Sequence, residues 1–173
     1  MVINMSVQRV KEYLKQWGRE DDVQEFPVSS ATVELAAQAL NVEPARIAKT
    51  LSFYQELGNE GGEQQKRCIL IVAAGDTKVD NRRFKEQFGF KAKMLSPDDA
   101  LALTGYAVGG ICPFAIDSQK GTVYLDESLR RFDVVYPACG SSNSAIAVTC
   151  DQLQQYAASA GWIDVCKNWR AGE

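Results

Sequence analysis

The chain has 173 residues, 46% hydrophobic and 24% charged, with a net charge of −3, the balance of one globular domain with no general affinity for polyanions. It contains no histidine, which excludes Ser-His-Asp and Cys-His catalysis, histidine-ligated zinc and the usual base near neutral pH. Its five cysteines include no C-x-x-C pair, which argues against a disulfide framework or a zinc knuckle and leaves no metal or cofactor expected.

The opening MVINMSVQRVKEYLKQWG has no apolar signal region, and no stretch approaches the ~20 apolar residues of a spanning helix, so a cytoplasmic protein is expected. Val7, Val10, Leu14 and Trp17 recur at helical spacing, closed by Gly18. Ser29 and Ser30 offer caps for a second helix over 32–40. Pro44 suits the first turn of a short helix, after which Leu51 and Phe53 read as a strand, placing Lys49 at the junction. ELGNEGGEQQKR is a polar, glycine-rich loop between this strand and CILIVAAG, whose unbroken apolar run predicts burial on both faces.

Asp80 caps NRRFKEQFG, which Gly89 ends. Ser96, Pro97 and Asp99 start a helix that stops at Gly105. GTVYLDESLRRF reads as strand, Asp126 cap and helical turn, and DVVYPACGSSNSAIAVT as two strands around a Gly-Ser-Ser-Asn turn. Thr149 and Gln152 form a capping box for a last helix expected to end at Gly161. Strands interspersed with short helices over residues 1–173 predict a single domain of α/β (α+β) class.

Four features could carry chemistry. TGYAVGGICPFAI lacks the lysine of a Walker loop and the spacing of a dinucleotide fingerprint. Cys112, among Ile111, Pro113 and Phe114, has neither a base nor a cation to form a thiolate, and packing as a small residue is the better reading. The pair Gly109–Gly110 can aim backbone N–H groups at an oxygen, or simply make a tight turn. Lys49 in an apolar stretch could hold a phosphate or carbonyl, or be a solvated lysine. ACGSSNSAI offers several hydroxyl and amide groups, as many turns do. Residues 78–93 carry a local charge of +4, a candidate phosphate-backbone face or a solvated helix.

Taken in order, ARIAKTLSF, ILIVAAGDTKVDNRRF, TGYAVGGICPFAI, VYLDESL and YPACGSSNSAI resemble the YbaK/prolyl-tRNA-synthetase-associated domain family, which edits mischarged tRNA. The resemblance implies a mixed, barrel-like sheet wrapped by helices and deacylation of aminoacyl-tRNA, with a small amino acid such as alanine, serine or cysteine removed from tRNA-Pro. It places Lys49, Gly109 and Gly110 in catalysis, and Thr50, Cys112, Pro113, Gly140, Ser141 and Ser142 around the substrate. Arg82, Arg83 and Lys85 become the tRNA contacts. Prolyl-tRNA synthetase is a further candidate partner. The same residues would serve a silent aminoacyl-tRNA or synthetase-binding module, and a small-molecule hydrolase unrelated to tRNA remains a third reading.

Overall fold

A computed structural model describes residues 5–27, 32–56 and 66–172. Helix α1 (Met5–Leu14) buries Val7, Val10 and Leu14, continues as a 3-10 turn to Trp17, and ends on left-handed Gly18. After the two-residue strand β1 (Gln24–Glu25), helix α2 (Val33–Leu40) begins. Its cap is Thr32, whose hydroxyl accepts from the Leu35 N–H. The expected caps Ser29 and Ser30 lie outside the described residues, and Thr32 takes that role because it stands directly before the helix in extended backbone.

A 3-10 turn at Pro44–Arg46 leads into β2 (Ile47–Gln55), which pairs antiparallel with β3 (Arg67–Ala74) over Ala48–Gln55. The polar loop expected between them falls largely on residues 57–65, outside those described. Then come β4 (Lys78–Val79), α3 (Asn81–Phe88, capped by Asp80) and α4 (Pro97–Thr104, capped by Ser96). Strand β5 (Gly121–Asp126) passes through the Asp126 cap into a 3-10 turn. The chain closes with β6 (Tyr136–Pro137), β7 (Ser144–Ala145), α5 (Cys150–Tyr156), β8 (Trp162–Ile163) and β9 (Cys166–Lys167).

The main sheet is mixed, in the order β6-β2-β3-β5-β8, with β2–β3 antiparallel and its other ladders parallel. Strand β3 is buried on both faces, as its unbroken apolar run requires. Leu70 and Val72 pack with Val10 and Leu14 of α1, Leu103 of α4 and Leu153 of α5. Ile69 and Ile71 face the other way, onto Phe53 and Phe84 of α3. Between α3 and α4 the chain therefore changes sides, and it does so round the outer edge of β2. There the Tyr54 N–H donates to the Lys93 carbonyl and the Leu95 N–H to the Ser52 carbonyl.

The last helix stops at Tyr156 and does not reach Gly161. Helix propensity in the Ala-Ala-Ser-Ala tail yields to the sheet edge. The Ala160 N–H donates to the Val123 carbonyl, and the Gly161 carbonyl accepts from the Leu125 N–H.

Candidate active site

A cavity of about 430 Å3 opens where the outer edge of β2 is left uncovered, between β6 on one side and residues 93–95 on the other. Ser52 and Tyr54 direct backbone groups to that outer edge. The alternation of an antiparallel ladder therefore aims the Thr50 N–H and C=O outward as well, into the gap. Thr50 and Ser52 side chains share one face of β2 and form part of the wall. The Thr50 hydroxyl is buried and has no hydrogen-bond partner among the described residues, so a ligand group entering here would meet an unspent donor and acceptor.

Lys49 is the one charged residue on this wall among the described residues. Alternation sends its side chain to the opposite face from Thr50, and its ammonium donates to the Thr77 carbonyl in the turn after β3. Burial lowers its pKa, opposed by the potential of Cys166 and the Asp76 carboxylate. Asp76 is itself gripped by both arms of Arg131, at 2.6 and 2.9 Å, which holds its carboxyl below the usual range.

The glycine pair divides in two. Gly109 is exposed and lines the cavity, and its N–H meets no acceptor among the described residues. The Gly110 N–H is spent in a turn, donating to the Ala107 carbonyl at 2.9 Å, so Gly110 offers no donor to a substrate. Its task is close approach: a Cβ at Gly110 would stand 2.9 Å from both the Gly140 carbonyl oxygen and the Ser141 Cα. The two loops touch there with no room for a side chain.

Ser141 and Ser142 line the same cavity. Their turn is held by Ser144, whose hydroxyl accepts from the Cys139 and Ser141 N–H groups and donates to the Ser141 carbonyl. The Ser141 hydroxyl donates to Asn143, whose amide in turn donates to the Phe26 carbonyl. Gly140 lies behind the wall with φ +95°, where a Cβ would fall 2.8 Å from the Ser6 carbonyl of α1. Cys112 and Pro113 are buried behind the wall too. Burial pushes the Cys112 thiol up to about 11, so it is neither a wall residue nor a thiolate near neutral pH.

Thus Lys49, Thr50, Gly109, Ser141 and Ser142 come together on one cavity, while Gly110, Cys112, Pro113 and Gly140 back it. Arg82, Arg83 and Lys85 sit on α3, which packs its Phe84 on the other face of the sheet. Sequence reasoning missed Ser52, though it follows Thr50 at strand period. It also missed the apolar residues Val33, Ala36 and Leu40 of α2, together with Met94 and Val108, because their convergence is tertiary.

The aminoacyl-tRNA editing domain model matches residues 28–156. An uncharacterised Bacillus subtilis protein, YwhH, is 52% identical over 95% of this chain and 99% of its own length. An Enterococcus faecalis protein named as a candidate Cys-tRNA(Pro)/Cys-tRNA(Cys) deacylase, EbsC, is 29% identical over 83% of this chain and 77% of its own. A crystal structure described as a candidate trans-editing enzyme for prolyl tRNA synthetase superposes with a TM-score of 0.81 at 26% identity, covering 96% of this chain and 100% of the other.

Proposed function

The chain belongs to the aminoacyl-tRNA editing domain family, and on that premise we propose that it hydrolyses the ester bond of mischarged aminoacyl-tRNA in trans-editing. The acyl group is a small one, such as alanine, serine or cysteine, carried on tRNA-Pro, which makes prolyl-tRNA synthetase its functional partner in the cytoplasm. The observation that carries this reading is the single cavity shared by the start of β2, Gly109 and the Ser141–Ser142 turn, in a chain with no histidine.

An aminoacyl ester is activated already, so positioning and charge stabilisation can replace a strong side-chain nucleophile. Water attacks the ester carbonyl; attack by the free hydroxyl of the terminal ribose only moves the acyl group to that oxygen, and water must still cleave the ester so formed. The carbonyl oxygen becomes an oxyanion against the Gly109 N–H, and the ribose oxygen leaves with a proton. When water attacks, the amino acid departs as the free acid. The Thr50 hydroxyl and edge backbone hold the amino-acid end. Lys49 supplies the positive charge of the wall for the anionic end of the RNA. The apolar residues from α2 and the Val108 loop limit the acyl group by size, an effect worth about 1–3 kcal/mol per methylene.

The test is release of amino acid from tRNA-Pro charged with alanine, serine, cysteine or 2-aminobutyrate, with prolyl-tRNA-Pro as the correct product that must survive. Turnover of one small acyl group and sparing of proline is the expected result. Binding without release across the panel would make the protein a silent module.

A further inference from the structure

The basic run of residues 78–93 does not act as one face. On α3, Arg82 pairs with Glu86 at 3.1 Å, and Arg83 donates to the Cys166 carbonyl and stands 3.9 Å from Asp164. Those two charges have partners within the fold, whereas Lys85 on the same helix is exposed and has no carboxylate partner among the described residues. Lys91 and Lys93 instead follow the chain round the outer edge of β2, where they meet Lys66, Tyr54, Phe90 and Glu56 about a recess of roughly 560 Å3. Lys91 and Lys93 have no carboxylate partner among the described residues. Asp99 accepts from the Tyr54 hydroxyl and lies 3.2 Å from the Lys66 ammonium, fixing both at the rim. The Lys93 ammonium stands 5.4 Å from the centre of the Tyr54 ring.

This recess adjoins the cavity. Thr50, Ser52 and Tyr54 lie on one face of β2; the first two line the cavity and the third lines the recess. Four residues of strand separate Thr50 from Tyr54, roughly 13 Å. The segment carrying Lys93 and the cavity residue Met94 runs between the two hollows.

We propose that the recess seats the unpaired 3′ strand of the RNA immediately before the nucleotide that bears the ester. Its phosphates lie on Lys91 and Lys93 and a base stacks on Tyr54 or Phe90. Interleaved lysines and aromatic rings suit single-stranded nucleic acid, whose bases all offer a π-face. An acidic peptide would use the lysines and leave the rings idle. The inference rests on the cavity taking an RNA-borne ester, and it assigns the RNA to the β2 edge in place of α3.

Fluorescence anisotropy of the full chain with an uncharged RNA hairpin tests it, comparing a four-nucleotide 3′ overhang with a blunt end. The overhang is expected to bind more tightly. The Lys91→Ala/Lys93→Ala double variant should weaken it about tenfold and flatten the log–log salt slope by about 1.4, two phosphate contacts' worth on a single strand. Tyr54→Leu should weaken it about fivefold or more, with Tyr54→Phe retaining affinity. Arg82→Ala/Lys85→Ala should shift it less than twofold. Equal binding of both ends, no measurable binding of the overhang, indifference to the lysine pair, or loss through the α3 variant instead would each overturn the assignment. So would displacement by polyglutamate of a probe that the overhang cannot displace. Because the RNA carries no ester, the outcome is independent of hydrolysis: a recess that binds in a protein that releases no amino acid leaves this inference standing and removes the proposed activity.

Discussion

Lys49 and Cys112 show how far a residue's chemistry depends on where its side chain points. Lys49→Ala is expected to lower deacylation strongly and chiefly through a raised KM, because the ammonium serves the anionic end of the RNA and not the reacting carbonyl. The lost hydrogen bond from the charged ammonium to the Thr77 carbonyl should cost about 1.5–3 kcal/mol, offset in part because burial disfavours that charge, and be seen as a fall in melting temperature. Lys49→Arg keeps the charge and should recover part of the rate. A kcat/KM for Lys49→Ala equal to wild type would remove the ammonium from the reaction. Cys112→Ala is expected to retain most activity, because a thiol raised to about 11 by burial is neutral near pH 7. Iodoacetamide should accordingly label Cys112 slowly at pH 7, as mass spectrometry would show. Rapid labelling coupled to inactivation would restore a thiolate route.

Among the elements, the two loops that meet at Gly110 define the cavity more than any helix does. Gly110→Ala places a Cβ 2.9 Å from the Gly140 carbonyl and the Ser141 Cα, and backbone on both sides must shift. Overpacking of this kind costs about 1–3 kcal/mol. Deacylation should fall with it, because Gly109 and Ser141 are pushed apart. A Gly110→Ala protein with unchanged melting temperature and unchanged turnover would show that the loops are not so tightly joined. The caps Asp80, Ser96, Asp126 and Thr149 were legible in the sequence because capping is settled within four residues. The end of α5 was not, since the Val123 carbonyl that takes the Ala160 N–H lies far away in the chain.

At the scale of the molecule, the matched family segment, residues 28–156, leaves α1 outside, yet α1 is built into the core and braces Gly140. Val7, Val10 and Leu14 are almost wholly buried. At about 1.5–3 kcal/mol each, their removal approaches the whole net stability of a domain, ~5–15 kcal/mol. A chain starting after Gly18 is therefore expected to lose cooperative thermal unfolding, followed by circular dichroism, and to have no deacylase activity. A truncated chain that unfolds at the same temperature as the full one would show that α1 merely rests on the surface.

Alternation, capping and unbroken apolar runs are local, so the sequence by itself determined the order of the five helices and of β2, β3, β5, β6 and β7, the burial of β3 on both faces and the absence of histidine chemistry, while the two-residue strands β1, β4, β8 and β9 exist only through their partners. It also carried, through the order of several short motifs, the family. What only the tertiary structure decided is which of these residues share a surface. Strand alternation turns the Lys49 ammonium away from Thr50, a turn hydrogen bond takes the Gly110 N–H, and the path round β2 parts Lys91 and Lys93 from the helix that precedes them. Each of these depends on a neighbour distant along the chain or on the direction of a single bond, and spacing between letters encodes neither.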